Sequence, residues 1–256
     1  MQRVLFHETI FGPIHSRRLG ASLGVNLSPR DGKICSFDCL YCEAGFNAQG
    51  PGTTGLPARE EVRRLLREKL QALRDNGRPL NVITFSGNGE PTVHPEFPGI
   101  VDDVIALRNE FFPEVKISVL TNSTRLANPA VCEALRKVDN NILKLDSAIE
   151  ETMRRIDRPN DPGFSAEKVI GQLKQFAGTG IIQTMILRGP GIDNSTDAEV
   201  DALIDAYREI APREVMLYSI DRQTPDHTLR RVEREELERV AARIRAALPE
   251  LEIQVS

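Results

Sequence analysis

The feature that most constrains this chain is an alternation of short apolar runs with amphipathic stretches, kept up along almost its whole length. Runs at Leu23 to Leu27, Asn81 to Phe85, Lys116 to Thr121, Asn141 to Leu145, Ile181 to Leu187 and Val215 to Ile220 have the length and residue types of buried strands. A short apolar tail, Leu251 to Val255, is a candidate seventh. Between them lie stretches of helical period. Arg59 to Arg74 carries Val62, Leu65, Leu66, Leu70 and Leu73 on one face; another begins at Thr196, which has capping-box spacing to Glu199; a last one runs from Arg234 to Leu248. Strand and helix in turn imply a parallel α/β sheet or barrel, since parallel neighbours need a crossover that a helix supplies. With 256 residues, 40% hydrophobic and 27% charged, and no visible repeat, heptad or low-complexity tract, the chain suits one sizeable domain. Residues 1–256 are therefore read as one domain, with a loop at 28–56, the alternating sheet or barrel over roughly 22–220 and a C-terminal helix and short strand at 232–256.

In parallel α/β folds ligands gather at the carboxyl ends of the strands. After the first predicted strand comes Lys33-Ile34-Cys35-Ser36-Phe37-Asp38-Cys39-Leu40-Tyr41-Cys42, with three of the chain's four cysteines. Three thiolates spaced Cys-x3-Cys-x2-Cys can converge on one soft metal centre, and iron-sulfur cubanes are held at such short spacings. A four-iron cluster held by three cysteines leaves one iron open to a small molecule. A structural zinc site would need a fourth ligand, for which only His15 or His94 is at hand. Disulfide pairing leaves one thiol of the three over. Cys132, on the apolar face of a predicted helix, reads as a buried small hydrophobe. An iron-sulfur or zinc module that binds metal or carries electrons stands as the alternative of another class, though it leaves the glycines and Glu90 described next without a role.

The other strand ends carry further candidates. Ser86-Gly87-Asn88-Gly89-Glu90-Pro91-Thr92 follows the second strand, where glycines let a ligand approach and exposed amides with Glu90 can meet a charged head group. Thr121-Asn122-Ser123-Thr124 suits a nucleoside or, equally, the cap of the next helix. Lys144 and Asp146 share one face of the fourth strand. A Lys and an Asp inside a barrel cost desolvation unless they pair or bind something, so they read as a substrate-site ion pair or a structural salt bridge. Arg188 shares a strand face with Thr184 and Ile186, where it could hold a carboxylate or phosphate or lie solvated at a rim. Tyr218 or Ser219 is expected near the substrate.

Gly50-Pro51-Gly52-Thr53-Thr54-Gly55 has dinucleotide-fingerprint spacing but runs into Leu56-Pro57 instead of opening a helix, so it reads as a flexible glycine loop. No Gly-x4-Gly-Lys-Ser/Thr loop is present, which argues against a nucleoside triphosphatase. The net charge of -4 supplies no bulk basic field for nucleic acid. Any such contact would rest on local pairs such as Arg17-Arg18, Arg154-Arg155 and Arg230-Arg231, which are otherwise ordinary solvated surface. The first residues lack the apolar core of a signal peptide and no run reaches membrane-spanning length, so the expected place is the reducing cytoplasm, with no membrane contact.

Cys35-x3-Cys39-x2-Cys42, with Tyr41 before the last cysteine, resembles the signature of the radical S-adenosylmethionine (radical SAM) superfamily. The resemblance implies a partial (βα)6 TIM-like barrel, a [4Fe-4S] cluster on Cys35, Cys39 and Cys42, and S-adenosyl-L-methionine (SAM) on the open iron. It implies reductive cleavage of SAM to methionine and a 5'-deoxyadenosyl radical that takes hydrogen from a substrate. It places Tyr41 near the adenine, and Gly87, Gly89 and Glu90 in a segment like the superfamily's Gly-Gly-Glu motif that takes the methionine amino group, with Asn88 in place of the first glycine. Asn122 and Ser123 would meet the ribose or carboxylate, and an electron donor such as a flavodoxin or ferredoxin is implied. Lys144, Asp146, Arg188 and Tyr218 are the candidates for the substrate side. Two segments, Gly12-Pro13-Ile14-His15-Ser16-Arg17-Arg18-Leu19-Gly20 and Met153-Arg154-Arg155-Ile156-Asp157-Arg158-Pro159, resemble the wyosine-type branch, which modifies a tRNA base. No cysteine precedes Cys35 to hold that branch's second cluster. The expected substrate is a small molecule, a nucleobase or a tRNA nucleoside, and a glycyl-radical-enzyme activating role is the alternative.

Overall fold

Parallel strands buried on both faces read as nearly continuous apolar runs, and six such runs build the centre of this molecule. The computed structural model describes residues 3–16 and 20–256. In chain order the elements are β1 (Ile10–Ser16), β2 (Gly20–Val25), α1 (Arg59–Asp75), β3 (Val82–Phe85), α2 (Phe97–Phe111), β4 (Lys116–Thr121), α3 (Pro129–Arg136), β5 (Asn140–Lys144) and α4 (Glu150–Asp157). There follow α5 (Ala166–Leu173), β6 (Ile181–Met185), β7 (Leu187–Gly189), β8 (Ile192–Asp193), α6 (Asp197–Ile210), β9 (Glu214–Tyr218), β10 (Arg230–Arg231), α7 (Arg234–Ala247) and β11 (Glu252–Val255).

The main sheet runs β1-β2-β3-β4-β5-β6-β9-β11, every pair parallel except β1 on β2. β2 to β6 with β9 are the six expected barrel strands, and the apolar tail joins as a seventh parallel strand beside β9. With β1 and β11 as its two edges, the sheet is an open barrel. Two departures from the sequence reading have local causes. β1 was not anticipated because Gly12 and Pro13 interrupt its pattern; an edge strand tolerates proline, and its register shifts between Phe11 and Ile14. The expected strand Ile181 to Leu187 divides at Ile186, because the buried Asn194 amide takes the Leu187 N–H (2.8 Å) and donates to the Met185 carbonyl (2.7 Å). β7 then leaves the barrel for a small antiparallel sheet, β10-β7-β8.

Alternation sorts the side chains. Leu23, Val25, Ile83, Phe85, Leu143 and Ile182 face the helices in the main core, together with Val62, Leu66, Leu70 and Leu73 of α1. Each such side chain stabilises the fold by about 1.5–3 kcal/mol relative to exposure. The other face lines the barrel, beginning with Ser22 on Thr84 (2.8 Å) and Asn140 on Ser118 (3.0 Å), then an apolar layer of Ile142, Ile181 and Met216. Lys144 comes next, at the carboxyl end. The capping box expected at α6 is half formed: Thr196 accepts the Glu199 N–H, while the Glu199 carboxylate turns inward to the Ser147 (2.6 Å) and Thr152 (2.5 Å) hydroxyls. Cys132 is buried, as expected of a small hydrophobe. No helix is long and apolar enough to cross a membrane among the described residues.

Candidate active site

The cysteine loop leaves β2 at the carboxyl end of the barrel and is clamped from two sides. On one side Ile34 pairs in parallel with Gly89, and the Ile34 carbonyl accepts the Glu90 N–H at 3.0 Å. A Cβ at Gly89 would lie 1.9 Å from that carbonyl, so this glycine serves the close approach of two backbones. On the other side Phe37 pairs with Pro159, the Asp38 and Leu40 amides donate to the Asp157 and Ile156 carbonyls (both 2.9 Å), and the Asn160 amide donates to the Ser36 carbonyl (3.0 Å). Inside the loop, buried Lys33 donates to the Gly45 carbonyl (2.8 Å) and lies 3.7 Å from Asp38, which also holds the Asn47 N–H (2.6 Å) and Arg158 (3.1 Å).

Cys35, Cys39 and Cys42 are free and half-buried on this frame. Burial, with the Glu90 charge next, pushes the Cys35 thiol up to about 12; burial holds the Cys39 thiol well above its ordinary value, against the opposing pull of Lys144. Thiols so placed become thiolates by binding a cationic centre. The set fits a thiolate-held iron-sulfur cluster with one iron left for a further ligand. His94, one of two candidates to complete a zinc site, is spent on the Pro57 carbonyl (2.9 Å) and the Glu96 N–H (3.1 Å). Among the described residues no three His, Cys, Asp or Glu side chains gather around a point that would hold a single metal ion.

Glu90 lies beneath the loop, 5% exposed. Its Oε1 accepts the Thr92 N–H (3.1 Å) and the Thr92 and Thr121 hydroxyls (2.5 and 2.6 Å), and its Oε2 accepts the Asn122 N–H (2.6 Å). Burial outweighs these donors and raises the carboxyl above its ordinary value. No cationic side chain among the described residues pairs with it. Oε2 keeps acceptor capacity for an ammonium group. Asn88, where the resembling motif has glycine, is fully buried and ties the N-terminal segment down, donating to the Phe6 and Pro29 carbonyls (both 2.9 Å) and accepting the Phe6 N–H (2.8 Å). At Gly87 a Cβ would strike Asn26.

Two expected SAM contacts are engaged elsewhere. The Asn122 amide donates to Cys35 Sγ (3.5 Å) and Ser36 Oγ (2.9 Å), and its oxygen accepts the Thr124 N–H and hydroxyl, so it organises the cysteine loop. Ser123 has no exposed surface, adopts φ +68° and donates to the Lys144 carbonyl.

Lys144 and Asp146 do pair, and the pair belongs to a larger group. The Lys144 ammonium contacts the Tyr41 hydroxyl, lies 2.8 Å from Asp157 and sits 4.6 Å from the Tyr41 ring centre. Tyr41 donates to Asp146 Oδ2 at 2.5 Å, and Asp146 Oδ1 accepts the Met185 N–H at 2.9 Å. Burial raises the Asp157 carboxyl to about 7, with Asp146 adding to it and Lys144 opposing. For Lys144 desolvation works against the charge, yet the two carboxylates outweigh it and the ammonium is held. Tyr41 is thus joined to this group, and its hydroxyl is kept protonated by burial and the Asp146 charge. Asp157 was not singled out from the sequence, where its one trace was its place in a resembling segment. Tyr218 packs with Tyr41, Met185, Leu187 and Ile192, which sets the small sheet over the carboxyl end of the barrel. Ser219 turns the other way, between the Ile186 carbonyl and the Val232 N–H.

The expectation for Arg188 is corrected. Its guanidinium binds Asp193 (2.9 Å), Ser195 (2.7 Å) and both oxygens of Glu236 on α7, so two carboxylates already occupy it. The face it continues is the outer one, where Thr184 bonds Tyr207 of α6. Arg154 and Arg155 pair with Glu150 and Glu151; Arg230 and Arg231 are exposed on β10; Arg17 and Arg18 lie outside the described residues.

The structure is thus an open parallel (βα)6 barrel with three free thiols, a candidate iron-sulfur site, on the loop after its first parallel strand. Residues 31–207 match the Radical SAM superfamily, and the chain belongs to it. A UPF0026 protein of Synechocystis is 31% identical over 84% of this chain and 77% of its own length; one from Helicobacter pylori is 28% identical over 83% of this chain. The chain spans 66% of the latter's length. Among solved structures, a radical SAM methyltransferase from Sphaerobacter thermophilus superposes with a TM-score of 0.68 at 19% identity, covering 92% of this chain and 65% of that one. A structure of TYW1 with a lysine-pyruvate adduct bound gives 0.58 at 13%, covering 88% and 73%. Enzymes of this superfamily use a [4Fe-4S] cluster and SAM.

Proposed function

We propose that this protein reductively cleaves SAM at a [4Fe-4S] cluster held by Cys35, Cys39 and Cys42 and takes a hydrogen atom from a nucleobase or a tRNA nucleoside. The observation that carries the SAM part is the buried Glu90 carboxylate, which lies beneath the cysteine loop with no cationic partner among the described residues and with acceptor capacity left on Oε2. An amino acid ammonium supplies the missing charge. When bound, the cluster supplies the electron that breaks a carbon-sulfur bond of SAM. The chain's own residues orient and shield. Ile34, Gly89 and the α4 end fix the loop, Asn122 holds Cys35, and the small sheet shields the carboxyl end with Leu187 and Ile192.

The substrate reading is supported by the resembling segments and by half-buried Tyr41 and Lys144 with buried Asp146 and Asp157, which set donors and acceptors side by side as the edge of a heterocycle requires. Its test is isotopic. Cluster-loaded protein with reductant, SAM and tRNA carrying deuterated nucleosides is expected to give 5'-deoxyadenosine containing deuterium. Deuterium-free product with every tRNA and free nucleoside tried, alongside normal SAM cleavage, would remove the nucleoside reading and turn attention to partner proteins.

A further inference from the structure

Lys33 is a cation buried inside the cysteine loop, its side chain 1% exposed. An ammonium held out of water needs a counter-charge, and here it receives only part of one. It donates to the Gly45 carbonyl (2.8 Å), while Asp38 Oδ1 stands 3.7 Å away. That same Oδ1 accepts the Asn47 N–H (2.6 Å), and Oδ2 pairs with Arg158 (3.1 Å). One acid thus faces two cations, and the group keeps a surplus positive charge on a chain whose net charge is -4.

The chain fixes where that charge lies. Lys33 stands two residues before Cys35, and Gly45, which holds its ammonium, donates its own N–H to the Cys42 carbonyl (2.9 Å). The charge is therefore tied to both ends of the stretch that carries the three thiols. Cys35 senses it: burial and then the Glu90 charge raise this thiol, while the Phe37 N–H and the Lys33 charge pull against them. Cys35 Sγ also receives the Asn122 amide at 3.5 Å. A thiolate-held cluster gains one negative charge when it is reduced, and its potential follows the net charge and the hydrogen bonds around its sulfurs.

We propose that Lys33 sets the reduction potential of the cluster on Cys35, Cys39 and Cys42 by fixing a buried positive charge that favours the reduced form, an inference that rests on the proposed function. One electron enters from an external reductant, which is oxidised by one electron; the cluster is reduced by one, and no bond or proton moves with it. Lys33 acts through the cluster, as a positioned charge, and Asp38 is the group that opposes it.

The test is a dye-mediated redox titration of the reconstituted protein without SAM, with dithionite as reductant and the reduced cluster counted by electron paramagnetic resonance. Lys33→Gln keeps a donor for the Gly45 carbonyl and loses the charge. At the potential where the wild type is half reduced, its reduced-to-oxidised ratio is expected to be at least fivefold lower, about 41 mV for one electron. Lys33→Arg, which keeps the charge, is expected to stay within twofold of wild type, and Asp38→Asn to raise the ratio at least twofold. A smaller fall in Lys33→Gln, or a larger one in Lys33→Arg, overturns the inference when iron and sulfide per chain match the wild type. Should Lys33→Gln hold no cluster, Asp38→Asn decides: an unchanged or lowered ratio overturns the inference. A wild-type chain that assembles no iron-sulfur cluster overturns the proposed function and this inference together.

Discussion

Gly89 is the clearest case of one residue setting the site. Its hydrogen leaves room for the Ile34 carbonyl, and any Cβ must push the cysteine loop off the turn after β3. Gly89→Ala is expected to cost about 1–3 kcal/mol in chemical denaturation and to lower the iron retained per chain; full iron retention would show that the pairing does not govern the loop. Glu90→Gln puts an amide N–H against donors from Thr92, Thr121 or Asn122, a mismatch of about 1–3 kcal/mol. It also removes the charge offered to an ammonium, so SAM affinity by calorimetry is expected to fall at least tenfold. Asp157 carries a pH dependence. Its carboxyl is raised to about 7 by burial, so between the unfolded value near 3.8 and about 7 the folded chain binds more protons than the unfolded one. The stability this group contributes is therefore fully present below pH about 4 and is lost as pH rises through about 7. Because raised carboxyls such as Glu90 remain in both chains, wild type is expected to decline more steeply than Asp157→Asn across that window; parallel curves would contradict it.

At the scale of elements, what was legible followed from burial. Strands covered on both faces are apolar throughout, so the six barrel strands stood out, as did the stripe on α1. β1 was hidden because an edge strand can carry Gly12 and Pro13, and β7, β8 and β10 are too short, at three, two and two residues, to show a period. The break at Ile186 rests on Asn194, which reads in sequence as one more loop asparagine. Its amide also donates to the Asp146 carbonyl (2.7 Å), so it joins the β6 to β7 break to the Lys144 group. Asn194→Ala strands these backbone groups in a fully buried place and is expected to cost about 1–3 kcal/mol. A loss within 0.5 kcal/mol in denaturant titration would mean that water or repacking replaces it. The cysteines were legible by spacing alone. Lys33, Asn88 and Asp157 were not, because a polar residue's value depends on which distant backbone or side chain it meets; only the departure at Asn88 from the glycine of the resembling motif hinted at the N-terminal segment it holds.

The whole molecule is an open barrel whose carboxyl end brings together three thiols, a buried carboxylate with no cationic partner among the described residues, and a paired group of one lysine, two aspartates and a tyrosine. Its claim as an enzyme rests on the first two acting together. The most direct measurement is anaerobic reconstitution with iron and sulfide, followed by iron counting and assay of 5'-deoxyadenosine after reductant and SAM are added, for wild type, Cys39→Ala and Glu90→Gln. The account predicts about four irons per wild-type chain and reductant-dependent 5'-deoxyadenosine. It predicts loss of both in Cys39→Ala, and a retained cluster with weakened SAM cleavage in Glu90→Gln. A wild-type chain that holds one zinc, or a full cluster that leaves SAM intact with every substrate tried, would contradict it.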